Sequence, residues 1–88
     1  MIWNVEWDDR ARREFRRLDA VAQQRILAFL RNRIAVDDDP RRFGIPLRGA
    51  LAGLWRYRVG DYRLICRIED DRFIVLVLRA RHRRSAYD

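Results

Sequence analysis

The side chains best placed for chemistry in this chain are arginines, and they gather in two stretches. Residues 54–70, LWRYRVGDYRLICRIED, carry Arg56, Arg58, Arg63 and Arg67. Residues 79–87, RARHRRSAY, carry Arg79, Arg81, Arg83 and Arg84 around His82, and end on Tyr87. A guanidinium keeps its charge at any workable pH and grips phosphate through a planar fork. All 20 lysine-or-arginine positions are arginine, so none of these side chains is suited to accept a proton. The chemistry open to such a set is the positioning of an anion and the stabilisation of charge on it.

A hairpin must hold the first group. Gly60-Asp61 suits a two-residue type II′ turn, with glycine at the first central position. Val59 then faces Tyr62, Arg58 faces Arg63, Tyr57 faces Leu64, Arg56 faces Ile65, and Trp55 faces Cys66. The period of two assigns Trp55, Tyr57, Val59, Tyr62, Leu64, Cys66 and Ile68 to the core. It puts Leu54, Arg56, Arg58, Arg63, Ile65 and Arg67 on the other face. Like charges directly across a strand pair repel, and nothing in the hairpin neutralises Arg58 against Arg63. A bound phosphate would relieve that repulsion. The turn at residues 69–72 fits either parity, so the face of Arg79, Arg81 and Arg83 is left open. His82 reads as a surface residue and Cys66 as packing.

The remaining elements must carry this sheet. In IWNVEW, Trp3, Val5 and Trp7 alternate with polar or exposed positions, the pattern of a strand with one apolar face. Asp8 or Asp9 can cap a first helix that turns Ala11, Phe15 and Leu18 inward. Asp19 can cap a second, presenting Ala22, Ile26, Phe29 or Leu30, and Ile34 before DDDP stops it. Arg12, Arg13, Arg16 and Arg17 lie off that apolar stripe and read as a solvated helix face. PRRFGIPLRGALAG reads as a loop, and RFIVLVLRA as a third strand of the meander. The expected fold is α+β: an N-terminal strand, a helical hairpin and a three-stranded antiparallel meander, forming one small sheet packed on the helices. A single domain over residues 1–88 is expected.

Composition narrows the function classes. With 49% aliphatic and aromatic residues the chain folds into a globule, and a net charge of +7 with a pI near 11.1 favours a polyanionic partner. No run approaches the length of a membrane span, and Met1 leads straight into IWNVEWDD without a targeting pattern. One cysteine fits a reducing cytoplasm. One Cys and one His are too few for a zinc site, and neither a metal nor a cofactor is expected.

The segments NVEWDDRARREFRRLD, QQRILAFLRNRIA, DPRRFGIPLRGALAGLWRYRVGDYRLICRIED and VLVLRARHRRSAY together resemble the RelE/ParE superfamily of bacterial and archaeal toxins. The resemblance spans essentially the whole chain, and GLWRYRVGDYRLIC is its most specific part. It implies the toxin of a type II toxin–antitoxin system, closest to RelE-like mRNA interferases that cut codons in the ribosomal A site. An antitoxin partner in a hetero-oligomer and a cytoplasmic setting are implied with it. The same resemblance makes Arg56, Arg58, Arg63, Arg83 and Tyr87 the catalytic set. Arg63 would contact the scissile phosphate, Arg83 would stabilise the leaving group, and Tyr87 would stack on a nucleobase or assist catalysis. Arg67, Arg79, Arg81 and Arg84 would bind RNA. The chain departs from the family in having Arg, where the best-studied RelE type has Lys, at positions 56 and 58, and Arg81 where Gly is frequent. A ParE-like toxin, which inhibits DNA gyrase by binding, is the alternative, and a plain nucleic-acid-binding module without toxicity is a more distant one.

In the RelE-like reading the nucleophile is the substrate's own 2′-hydroxyl, so cleavage is expected to survive chelation. The measurement is mRNA cutting on translating ribosomes with and without EDTA, with magnesium controls that keep the ribosomes intact. Loss of cutting on intact ribosomes, restored by added metal, would contradict it.

Overall fold

Acidic caps decide where both helices begin. In the computed structural model, which describes residues 2–85, the Asp8 carboxylate accepts from the Arg10 amide at 2.7 Å and starts α1 (Asp9–Arg16). Asp19 accepts from the Ala22 amide at 2.8 Å and starts α2 (Ala20–Phe29). These contacts satisfy amides that would otherwise lack partners in the first turn. α2 runs on through a π turn at Leu30–Ile34, where the Ala35 amide reaches back to the Leu30 carbonyl at 2.8 Å. Ala22, Ile26, Leu30 and Ile34 form its buried stripe, with Phe29 half-buried beside them.

The strands are β1 (Asn4–Trp7), β2 (Ile45–Pro46), β3 (Trp55–Val59), β4 (Tyr62–Glu69) and β5 (Ile74–His82). They form one sheet in the order β1-β5-β4-β3-β2. The meander is antiparallel, while β1 lies parallel to β5, from Asn4 opposite Ile74 to Trp7 opposite Val77. The α+β architecture is as expected, with one strand more. Ile45–Pro46, inside the segment read as a loop, pairs with Arg56 and Trp55 at the sheet edge. Proline is tolerated there because an edge strand can do without one donor.

The β3–β4 hairpin has the anticipated register throughout, from Trp55 opposite Cys66 to Val59 opposite Tyr62. Gly60 has φ +57° and Asp61 has no positive φ, the asymmetry of a turn with glycine first. On the inner face Tyr57, Leu64 and Cys66 are fully buried and join Trp3, Ala11, Ile26, Leu30, Ile34, Val75, Val77 and Ala80 in one core. The Tyr57 hydroxyl, deep in that core, donates to the Pro40 carbonyl at 2.7 Å. Burial pushes the Cys66 thiol well above its ordinary pKa, so it is a packing group and no nucleophile.

β5 carries a bulge. Ile65 is opposite Arg79, but Cys66 is opposite Val77, which leaves Leu78 as an extra residue. Val75 and Val77 point inward on odd numbers; past the bulge, Ala80 does so on an even one. Arg79 and Arg81 are thereby placed on the outer face. A straight strand would have driven both into the core.

The positive φ at Gly60 gives the turn a measurable dependence on glycine. Gly60→Ala should lose about 1–2 kcal/mol, the usual cost of forcing a Cβ into that backbone region. Urea unfolding of parent and variant checks this, since the space around a Cβ at residue 60 is open enough to rule out a packing cost.

Candidate functional site

Three rows cross the outer face of the sheet. The row nearest the hairpin tip is Arg58 on β3, Arg63 on β4 and Arg81 on β5. The next is Arg56, Ile65 and Arg79. Ile65 is buried, although it faces away from the core, because arginine stems flank it on both sides. Toward the far end of β4, Arg67 stands opposite Leu76 and pairs with Glu69 at 3.5 Å. Four residues of strand, about 13 Å, separate it from Arg63. The fold brings Arg56, Arg58, Arg63, Arg79 and Arg81 into two adjacent rows and leaves Arg67 outside them.

Local bonds fix the guanidinium of Arg63. Its Nη1 donates to the carbonyls of Gly60 at 3.2 Å and Tyr62 at 3.1 Å, so the turn holds it at the hairpin tip. Arg83 arrives at the same tip from the end of β5. Its amide donates to the Asp61 carbonyl at 2.7 Å, and its Nε lies 4.0 Å from the Asp61 carboxylate. Arg84 is exposed, and its amide donates to His82 Nδ1 at 3.2 Å. The imidazole stands edge-on to Tyr62, with ring centroids 5.5 Å apart. Tyr87 lies outside the described residues.

Glu14 is the member that sequence reasoning missed. β1 covers β5 only as far as Val77, so the outer edge of β5 beyond that point needs another partner. α1 supplies one: Glu14 accepts the Ala80 amide at 3.0 Å. The same carboxylate takes Arg79 Nε and Nη2, at 2.9 to 3.2 Å, and lies 3.6 Å from Arg81 Nε. Burial works to raise its pKa, but these hydrogen bonds and charges outweigh burial and hold it below the ordinary carboxylate value of 4.5. Its signal in the sequence is faint: one acid in the arginine-rich run RARREFRR.

The chemical capability is that of a cationic surface whose donors are already held in place. Arg63 and Arg83 converge on the tip, Arg58 and Arg81 flank Arg63 in register, and Glu14 partly neutralises the β5 side. Nothing in this set is poised to take a proton, because Glu14 is committed to cations and held ionised.

Residues 5–87 match the family described as the ParE toxin of the type II toxin–antitoxin system parDE. The chain belongs to this toxin family. The toxin is 34% identical to Toxin RelG of Mycobacterium tuberculosis over 87 residues, 99% of this chain and 98% of that one. The solved toxin–antitoxin complex RelBE2 from the same organism contains a similar chain, with TM-score 0.86, 34% identity, and coverage of 94% and 93%. The isolated Escherichia coli RelE toxin shares the fold at TM-score 0.71 and 20% identity, over 91% of this chain and 83% of its own.

Glu14→Gln should destabilise the toxin by about 1.5–3 kcal/mol at neutral pH, the usual worth of hydrogen bonds to charged groups. The pH dependence has a definite sign. A carboxyl whose pKa is lowered on folding contributes stability that is fully present above its unfolded value, near 4.5, and is lost as pH falls through the lower folded value. The gap in Tm between parent and variant should therefore close as pH is taken below 4.5. A gap that stays constant down to acid unfolding would show that Glu14 acts through packing alone.

Proposed function

We propose that this toxin is a ribosome-dependent mRNA endonuclease that acts without a metal and is silenced by a cognate antitoxin. The observation that carries the reading is the row Arg58–Arg63–Arg81, with Arg63 fixed by turn carbonyls and Arg83 pinned beside it at Asp61. Support comes from the 34% identity to RelG along nearly the full length of both chains. The antitoxin half of the proposal is supported by a similar chain having been solved within a toxin–antitoxin complex. A toxin held this way works in the cytoplasm, where ribosomes are, and rests there as a hetero-oligomer.

In this reading the 2′-oxygen of a nucleotide attacks its own 3′-phosphate. A P–O2′ bond forms, the P–O5′ bond breaks, and the products are a 2′,3′-cyclic phosphate and a 5′-hydroxyl. Arg63, with Arg56 or Arg58, neutralises charge growing on the phosphoryl oxygens, and Arg83 the charge on the departing oxygen. Tyr87 offers a ring on which an unpaired base stacks. The 2′ proton has no arginine to go to, so it leaves to solvent or to a group that the ribosome supplies, and the departing 5′-oxygen takes up a proton from solvent. That accounts for a need for the ribosome in a site whose cations are all arginine.

A second reading has its own observation: the matching family is described by the ParE toxin of parDE. In that reading the protein inhibits DNA gyrase by binding and cuts no RNA.

Arg63→Ala decides between them. The change opens no cavity in the core and trades two hydrogen bonds at the turn for relief of like-charge repulsion, so stability should stay within about 1 kcal/mol of the parent. Cutting of mRNA on ribosomes should fall by about 10²- to 10³-fold, as it does when one fixed donor at a reacting centre is removed. Tyr87→Ala should also weaken cutting. Growth arrest, ribosomal mRNA cleavage and thermal melting are measured on parent and both variants. A parent that cuts no mRNA and arrests growth through a DNA-damage response, together with an Arg63→Ala variant that does the same, would replace this reading with the gyrase one.

A further inference from the structure

Between α1 and the outer face of β5 lies an open cleft of about 390 Å³, lined by Arg10, Arg13, Glu14, Arg17, Arg79 and Arg81. Five of these six side chains are cationic. Arg10, Arg13 and Arg17 follow one another at steps of three and four, so they share one face of α1, and they span about 10 Å of helix axis. Arg13 and Arg17 are exposed, as expected of a solvated face. Their neighbours across the cleft, however, are Arg79 and Arg81, and both of those already share the carboxylate of Glu14. Among the described lining residues, three arginines therefore face a cleft whose one acid, Glu14, is spent on the opposite wall.

We infer that this cleft binds the phosphate backbone of single-stranded RNA as a track separate from the hairpin tip. Two observations select a nucleic-acid strand over an acidic protein segment. Among the described residues, the cleft lining contains no aliphatic or aromatic side chain, whereas peptide grooves depend on apolar anchors. A groove of that apolar kind lies elsewhere, against Trp3, Val5, Trp7, Leu27 and Leu30. Arg81 also belongs to both the cleft and the row containing Arg63, so a polymer with evenly repeated charge passes from one to the other without a gap. The choice of RNA over DNA rests on the endonuclease reading above. The cleft itself supplies affinity and direction to the strand and no group to the reaction.

The test removes charge from the cleft and, in parallel, from the rest of the same helix. Arg13→Gln/Arg17→Gln takes two cations from the cleft wall; Arg12→Gln/Arg16→Gln takes two from α1 positions that do not line it. Both pairs keep good helix formers, and melting curves verify the fold. Each pair is made in the Arg63→Ala background, and binding of a labelled single-stranded RNA oligonucleotide is followed by anisotropy across a salt series. The cleft pair should weaken binding about tenfold and reduce the slope of log K against log salt by about 1.4, the loss of two phosphate contacts on a single strand. The control pair should change the slope by less than half as much. Equal effects from both pairs would reduce the result to net charge and overturn the proposal. So would unchanged RNA binding with weakened antitoxin binding, which would hand the cleft to an acidic protein segment. The binding result is independent of cutting: a parent that cuts no mRNA but shows the cleft-specific slope change sinks the endonuclease reading and leaves the cleft as a strand-binding site. A parent that cuts, with a cleft pair that binds like its background, sinks the cleft alone.

Discussion

Much of this structure hangs on one carboxylate. Glu14 closes the backbone edge that β1 leaves open, by taking the Ala80 amide, and it ties α1 to β5 through Arg79 and Arg81. An unpaired amide at a half-buried edge is costly, and so is a set of like charges in adjacent rows. A single acid answers both. The arrangement keeps the helix docked where the sheet is narrowest, and it moderates the positive field on the β5 side while the β3 side stays strongly cationic. A buried hydrophobic contact at the same place would have anchored the helix but left the arginines repelling each other.

The elements that a local pattern governs were legible. The two-residue turn at Gly60-Asp61 dictated the β3–β4 register, and with it the division between Tyr57, Leu64 and Cys66 inside and Arg56, Arg58 and Arg63 outside. The cap at Asp19 and the stripe through Ala22, Ile26 and Ile34 followed from residue type and helix periodicity, while the choices of Asp8 over Asp9 and of Leu30 over Phe29 needed the structure. The parts that depend on distant neighbours were not. Ile45–Pro46 becomes a strand only because the edge of β3 is there to pair with. Glu14 looked like one more residue of a charged helix, since its partners lie 65 residues or more along the chain.

The face of Arg79 and Arg81 was undecided for a different reason. The turn at residues 69–72 fits either parity, and the bulge at Leu78 sets the phase beyond it. A trace of this does stand in IVLVLRARH: the inward residues are Val75 and Val77, then Ala80, a step of three where a strand allows two. A small apolar residue between two arginines marks the shifted phase. Of the side chains assigned to the site, the fold groups Arg56, Arg58, Arg63, Arg79, Arg81 and Arg83 around one end of the sheet, while Arg67 keeps company with Glu69.

That extra residue also says something about how the gene tolerates change. Loop lengths in small proteins drift readily, and a strand in which inside and outside merely alternate forgives most substitutions. Here the extra residue reconciles two phases, because inward side chains fall on odd numbers up to Val77 and on an even one at Ala80. Losing the codon for Leu78 would leave Val77, Arg79, Ala80 and Arg81 in plain alternation, with Ala80 still inward and both arginines still outward. The bulge is one residue of slack, and a deletion of three nucleotides at this point would take up that slack without turning the arginine face inward.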